Sequence, residues 1–421
     1  MKKLTEKTYG VGMGKTAPAT ERVGELENAP PWWPHWKEPD FTEEDLCEIE
    51  RYCKKIVENV SKEKGMTPRE RWKTTLELGM PDRPFVAIQQ CNLPVSRVLD
   101  CWSDSLKPGI DLHWYPKLCL KGHLAWTARF NHDWVHPYIF TYGETEWGGS
   151  SKGKVLPYAA PAQTEAPIKT EADFETIHVP DFNRDGFYPP YLWMVRKIKE
   201  FMKKHGVADI MPMKADFCAA PSIAGYILRG IKQYMVDVKR NPEMARRCAE
   251  LDLKFKIQYG KAVLEAGADF MGCCSFGGFM GLETYKKADV DKYDLALAKA
   301  LPPKSFTYQF GFDQSPSLEY MCQTGSMVLG WICDPATPME MQRRVATKYN
   351  KIMMPVTESL ILLRGPPEAI IEHMKNNIKQ GAGPGYSFSL AVGDYVSRSE
   401  YIDLAIKTAK EYGAEVYKGL K

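Results

Sequence analysis

The side chains best equipped for chemistry gather where short apolar runs stop. Asp216 and Cys218 close a run that opens at Ile210–Met213, and Cys273 and Cys274 close another that opens at Phe270. A carboxylate or thiol at such a point can move a proton, hold a metal or anchor a substrate. Asp216 stands first, because a helix is predicted to start just after it, near Pro221 and Ser222, and free N–H groups there would favour a carboxylate. Its bland alternative is a plain helix cap. His132 and His136 have the i, i+4 spacing of a helical metal pair, but a strand predicted to begin close to His136 would turn the two rings apart, which favours ordinary supporting histidines. Tyr142, Glu144 and Glu146 follow, and Glu146 before Gly148-Gly149 is either an active-site acid or a cap on that turn.

These residues need elements to position them. After Asn241-Pro242, an N-cap followed by proline at the first helical position, Cys248, Leu251, Phe255, Tyr259 and Val263 recur at helical spacing as a buried stripe. Glu265-Ala-Gly-Ala-Asp269 then turns the chain into the next short strand. Strand, helices, strand, with polar residues where each strand stops, is the layout of a parallel barrel with its site at the strand C-termini. The expected fold is α/β, a TIM-like (β/α)8 barrel over residues 66–421, with an N-terminal extension over 1–65. In that extension Ala29-Pro-Pro-Trp-Trp-Pro-His-Trp36 is rigid and aromatic, and Thr42 with Asp45 predicts a capped helix running to about Lys64. It reads as an arm packed over the barrel: a stabilising clasp, or a lid or homodimer arm.

Composition excludes several classes. A net charge of +3 with no basic block interleaved with aromatics argues against nucleic acid. No apolar run approaches the ~18 residues of a membrane helix, and Met1–Lys15 lacks the apolar core of a signal peptide. Eleven cysteines, an odd number without a C-x-x-C pair, fit reduced thiols in a cytoplasm. Gly10 to Thr16 is not a phosphate loop, because Tyr9 stands where the first glycine is required.

Four stretches together resemble the uroporphyrinogen decarboxylase superfamily, and within it the corrinoid-dependent methyltransferases. They are Thr67-Pro-Arg-Glu-Arg71 through Pro84; Glu144 to Gly149 with Ile168–Asp173 and Val179-Pro-Asp181; Ala220-Pro-Ser-Ile-Ala-Gly-Tyr-Ile-Leu228 with Asn241–Met244 and Glu265–Asp269; and Leu363–Glu368 through Gly385. The resemblance spans roughly Met66 to Gly413. It implies methyl transfer between a small methylated molecule and a corrinoid. That cobalamin-type cofactor would ride on a separate partner protein docking over the barrel mouth, since this chain has no Asp-x-His-x-x-Gly motif for cobalt's lower ligand.

Coenzyme-M methyltransferases of the superfamily hold zinc with a His-x-Cys pair and a further cysteine. Here Tyr308 and Phe310 stand at the paired positions, and no cysteine lies near the last strand, Tyr386–Gly393. Zinc would therefore have to draw on Cys274, Asp313, Cys333, Asp334 and Glu358. With thiol activation unsupported, the expected donor is an aryl methyl ether. Asp216, Glu146 and Tyr308 are the catalytic candidates. Tyr142, Cys218, Cys273, Gln309, Trp331 and Tyr386 are the candidates for the substrate wall. A decarboxylase acting on a tetrapyrrole is disfavoured, because Ala87–Cys91 carries no arginine and Arg97 is the nearest. A binding barrel without catalysis is the remaining alternative.

Overall fold

A computed structural model describes residues 25–26, 36–90, 115–138, 152–156, 159–177, 179–275, 281–289, 291–310, 314–323, 328–334, 337–357, 359–392 and 398–421. The strands are β1 (Glu25–Leu26), β2 (Phe85–Gln90), β3 (Lys152–Leu156), β4 (Ala159–Glu165) and β5 (Lys214–Ala219). They continue with β6 (Phe270–Ser275), β7 (Phe306–Phe310), β8 (Val328–Asp334), β9 (Ile352–Thr357) and β10 (Ser387–Val392). The helices are α1 (Glu43–Ser61), α2 (Pro68–Leu76), α3 (Pro116–Phe130), α4 (Tyr188–Lys204), α5 (Val207–Ile210), α6 (Pro221–Arg229), α7 (Ile231–Arg240) and α8 (Pro242–Glu265). After them come α9 (Leu282–Ala288), α10 (Asp291–Ala300), α11 (Leu318–Met321), α12 (Met339–Lys348), α13 (Ser359–Arg364), α14 (Pro367–Gly381) and α15 (Ser399–Leu420).

Seven strands pair in parallel in the order β2-β10-β9-β8-β7-β6-β5, and β1, β3 and β4 form a separate small sheet. The short segment 133–136 supplies the eighth stave. On one side Asp133 N–H donates to Val86 O at 2.8 Å, and on the other Val135 N–H donates to Pro212 O at 3.0 Å while Lys214 N–H donates to Val135 O at 3.0 Å. The segment thus closes the ring between β2 and β5, in the chain order of a (β/α)8 barrel.

Strand alternation sorts side chains to two faces. Phe85 and Ala87 of β2, Trp134, Phe270 of β6, and Ile352 and Met354 of β9 fill the barrel interior as one cluster. Trp72 of α2 plugs it, with its ring centroid 4.5 Å from that of Phe270 and 4.9 Å from that of Phe85. Val86, Ile88, Phe388 and Leu390 face outward to the helices. Each buried aromatic of this kind contributes ~1.5–3 kcal/mol of transfer free energy.

Below the barrel lies a dense ionic floor. Arg83 grips Asp133 with two bonds, at 2.6 and 2.9 Å, and Glu63 with a third at 2.6 Å. Arg71 holds Asp82 at 2.7 Å, while Lys410 of α15 binds Glu63 and donates to Asn131 O at 2.5 Å. Six charges thereby tie the extension, the first two staves and the last helix together.

The described part of the N-terminal arm lies on the barrel's flank. Helix α1 starts at the expected box, in which Asp45 N–H donates to Thr42 Oγ1 and Thr42 N–H donates to Asp45 Oδ2. Phe41 stacks on Trp193 of α4 at 5.8 Å, and Lys117 and Lys121 of α3 bind Asp45 at 2.6 and 3.0 Å. These contacts, with α3 and α4, are of the kind a clasp makes, while β1 of the same extension pairs with β3 of the small sheet. Of the aromatic run, Trp36 meets Trp193 edge-on at 6.2 Å; positions 29–35 lie outside the described residues.

Candidate functional site

The strand carrying Asp216 begins later than its apolar approach suggests. Residues Val207–Ile210 form a helical turn, and β5 runs from Lys214 to Ala219. Asp216 is therefore mid-strand, not at a helix start. The helix cap reading fails with it: the first turn of α6 is served by Asp294 of α10, which accepts from Ser222 N–H at 2.7 Å.

Alternation places Lys214 and Asp216 on the same face of β5. Lys214 is fully buried, and Nζ donates to Gln89 Oε1 of β2 at 2.9 Å and to Asp216 Oδ1. His136 Nε2 meets Asp216 Oδ2 at 2.7 Å and lies 3.4 Å from Lys214 Nζ. The ammonium also sits 5.3 Å from the centroid of Trp134, so the aromatic plug supports the cation from beneath. Asp216 keeps about 9 % of its surface exposed, whereas Lys214 and His136 are closed off.

Burial would raise the carboxyl, but Lys214 and His136 outweigh it and hold Asp216 down at about 2. Burial, reinforced by the Lys214 charge, pulls the His136 imidazolium down to about 4. At neutral pH the cluster is therefore an ammonium, a carboxylate and a neutral imidazole whose Nε2–H donates to the carboxylate. Asp216 can accept hydrogen bonds or a proton, and it has no proton of its own to give.

His132 and His136 are not a metal pair. His136 is committed to Asp216, while His132 is buried beside Asp133 with neither ring nitrogen hydrogen-bonded. Burial drives His132 down to about 3, a neutral ring.

Two substrate-wall candidates are corrected. Tyr386 precedes β10, bridges to Met353 and donates to Asn377 O of α14 at 3.4 Å. It lies at the strand's beginning, opposite the mouth, packed on Gly381, where a Cβ would meet its ring at 2.4 Å. Cys273 has the outward parity of β6 and is buried with the helical layer alongside Met271. Neither can line a substrate at the mouth.

For other positions the backbone alone is described. Parallel register aligns Ala219 with Cys274, Cys274 with Gln309, and Cys273 with Tyr308. Cys333 and Asp334 align with Val356 and Thr357 at the C-terminal ends of β8 and β9. Cys218 and Trp331 also lie within strands, on β5 and β8. Glu146, Tyr142, Asp313 and Glu358 lie outside the described residues.

Among the described residues no three metal-binding side chains converge. The His136–Asp216 pair does not suit zinc, since both Asp216 oxygens are engaged and an ammonium stands beside them. What the sequence did not reveal is Lys214, Gln89 and the His136–Asp216 partnership. Charged residues within a strand were the available signal, because a lysine two residues before an aspartate must share its face.

Against known proteins, the family model described as uroporphyrinogen decarboxylase (URO-D) matches residues 109–412. The chain belongs to the uroporphyrinogen decarboxylase family. A solved structure of a methyltransferase from Methanosarcina mazei superposes with a TM-score of 0.68 at 17% identity, covering 82% of this chain and 98% of that one. The shared fold is thus the family's TIM barrel, as the eight staves show directly. A B12-independent methionine synthase from Shewanella sp. W3-18-1 overlaps 53% of this chain and 67% of its own at 11% identity, with a TM-score of 0.34, too partial to bear on the fold. No curated protein matches the sequence. No helix among the described residues is long and apolar enough to cross a membrane.

Proposed function

We propose that this family member is a methyltransferase that moves a methyl group from a small methylated molecule, an aryl methyl ether, to a corrinoid held by a separate protein. The observation that carries the reading is Asp216: an ionised carboxylate, partly open, held inside a barrel by a buried lysine and a neutral histidine. The name of the Methanosarcina mazei relative, a methyltransferase, supports the reaction class. Tyr308 and Phe310, at the positions where thiol-activating relatives carry zinc ligands, support an acceptor other than coenzyme M.

In this reading Asp216 accepts a hydrogen bond from the substrate and orients it, and His136 and Lys214 fix the carboxylate's two oxygens. The barrel's aromatic plug keeps water from reaching the site from below. The corrinoid supplies the nucleophile that takes the methyl group. The departing phenolate needs a proton or a cation; Asp216 cannot give the former, and Tyr308 aligns with the outward-facing Cys273, so of the catalytic candidates Glu146 is the one left to donate it. Zinc is a separate proposal resting on Cys274, Asp313, Cys333, Asp334 and Glu358.

A tetrapyrrole decarboxylase would need free cations for several carboxylates. Lys214, inside the barrel, is already neutralised by Asp216. Incubating the chain with a reduced corrinoid protein and a panel of methyl ethers, amines and thioethers, followed through cobalt absorbance, tests the proposal. Demethylation of an aryl methyl ether that requires the corrinoid protein is expected. Thioether formation from methylcobalamin and coenzyme M, without ether cleavage, would overturn it.

A further inference from the structure

The second stave stops pairing at the site. In a parallel ladder, residue 135 opposite residue 213 receives the Lys214 N–H and donates to Pro212 O, as observed. The next two rungs should join residue 137 N–H to Lys214 O and Asp216 N–H to residue 137 O. Residue 137 is a proline, so the first rung cannot form. The second is replaced: Asp216 N–H donates to Tyr191 Oη at 2.9 Å, and Tyr191 O–H donates to Pro137 O at 3.3 Å.

We propose that Tyr191 is the positioning residue of the site, its hydroxyl spliced into the broken ladder to set how far the His136 stave stands from Asp216. The inference rests on the reading of Asp216 as the working carboxylate. The geometry carries it. Tyr191 belongs to the first turns of α4 and is fully buried, so its hydroxyl arrives from the helical layer at a fixed height. It touches the backbone of Asp216 itself and of the residue after His136. A phenolic oxygen between an N–H and a carbonyl holds the strands wider than one direct hydrogen bond would. Across that widened gap, on the barrel side, His136 Nε2 reaches Asp216 Oδ2 at 2.7 Å. No substrate contact is assigned to Tyr191; it acts through the two residues it spaces.

The test is Tyr191→Phe, read by amide hydrogen exchange at Asp216, by the ring-nitrogen titration of His136 in histidine-labelled protein, and by steady-state turnover. The Asp216 amide should exchange at least ~10-fold faster, as a buried bond is lost, and the His136 titration should move. The kcat should fall ~10-fold or more with little change in KM, and adding Pro137→Ala to the variant, which restores the missing N–H and lets the strands pair directly, should bring back protection of the Asp216 amide without bringing back kcat. An Asp216 amide and a His136 titration unchanged in Tyr191→Phe would overturn the inference. So would a wild-type Asp216 amide exchanging as fast as an unstructured one, a measurement that needs no variant to fold. The exchange and titration do not depend on methyl transfer, so they stand or fall separately from the proposed reaction.

Discussion

The barrel holds two buried charge clusters, and they are built on different rules. At the floor, Arg71, Arg83 and Lys410 face Glu63, Asp82 and Asp133, three charges of each sign, most of them with two or more partners. Inside the barrel, Lys214 and Asp216 are one charge of each sign, with a neutral, buried histidine on the second carboxylate oxygen. The floor joins elements far apart in the chain and leaves its carboxylates saturated. The upper cluster joins neighbouring staves and holds Asp216 through one cation and one neutral imidazole; its side chain, 10 % exposed, is less open than Asp82 (25 %) or Glu63 (19 %) at the floor, but it has fewer cations on it. The first is an arrangement for holding the ring closed; the second spends buried charge on keeping one carboxylate ionised.

If that contrast is right, substitutions at the floor should damage stability and those above should damage activity. The largest effect is expected from Asp133→Asn, which strands Arg83 among its partners. Removing one member of a buried ionic group costs ~3–5 kcal/mol, so denaturant unfolding should shift by that order while the molecules still folded turn over normally. A variant that keeps its stability but loses turnover would reverse the assignment of the floor.

Asp216→Asn comes next. Turnover should fall ~100-fold or more, about 2.7 kcal/mol of transition-state free energy. It also leaves Lys214 without its counter-charge, so stability should fall too. The double variant Lys214→Met/Asp216→Asn separates the two: it should regain stability, because replacing a buried pair with apolar groups is often neutral or better, and regain no activity. Recovery of both would make the pair purely structural.

Much of this architecture was legible in the sequence. The Cys248, Phe255, Tyr259, Val263 stripe is buried, and the start of α6 at Pro221, the Asn241-Pro242 start of α8 and the Thr42 box lie where local rules put them. The strands were harder. Ile210–Met213 reads as a strand by hydrophobicity, yet Val207–Ile210 is a helical turn and pairing starts only at Pro212–Met213; the strand proper opens on Lys214, whose charge is tolerated because Gln89 and Asp216 meet it from inside the ring. The second stave, 133–136, is too short to give any periodicity. The site's central contact joins residues 80 apart, and no local pattern encodes which histidine an aspartate will face. Tyr386 misled because an aromatic beside a strand says nothing about which end of the barrel it occupies.

The pH response offers a finer comparison. His132, close to the floor, and His136 above are both buried neutral, held at about 3 and about 4. A histidine depressed in the fold is protonated more readily when unfolded, so its contribution is present above pH 6.5 and is lost as pH falls toward the folded value. Asp252 runs the other way: burial lifts it to about 6, so its neutral form favours the fold most below pH 4 and that advantage is lost as pH rises through 6. Between pH 4 and 6 the histidines should prevail. His132→Leu, which removes a ring without hydrogen-bond partners, should flatten the slope of unfolding free energy by about 1.4 kcal/mol per pH unit, whereas Asp252→Asn should steepen it by a similar amount. Equal slopes in all three proteins would mean that these groups are solvated in the fold.

The smallest expected effect tests whether the arm belongs with the floor. Thr42→Ala removes the side-chain acceptor for Asp45 N–H and leaves in place the carboxylate that Lys117 and Lys121 share. Loss of an N-cap of this kind costs ~1 kcal/mol. Asp45 is held at about 2, with the two lysines and the Thr42 amide outweighing its burial, so its share of stability is present above pH 4 and is lost as pH falls toward 2. The lost cap bond does not titrate and the Thr42 N–H still holds Asp45, so the variant should stay about 1 kcal/mol below wild type from pH 7 to pH 3, both losing the share of Asp45 together as pH falls further, while kcat and KM at pH 7 stay level. A change in KM would instead bring the arm to the barrel mouth, as a lid contributing to substrate binding, and would move α1 from the side of the floor to the side of the site.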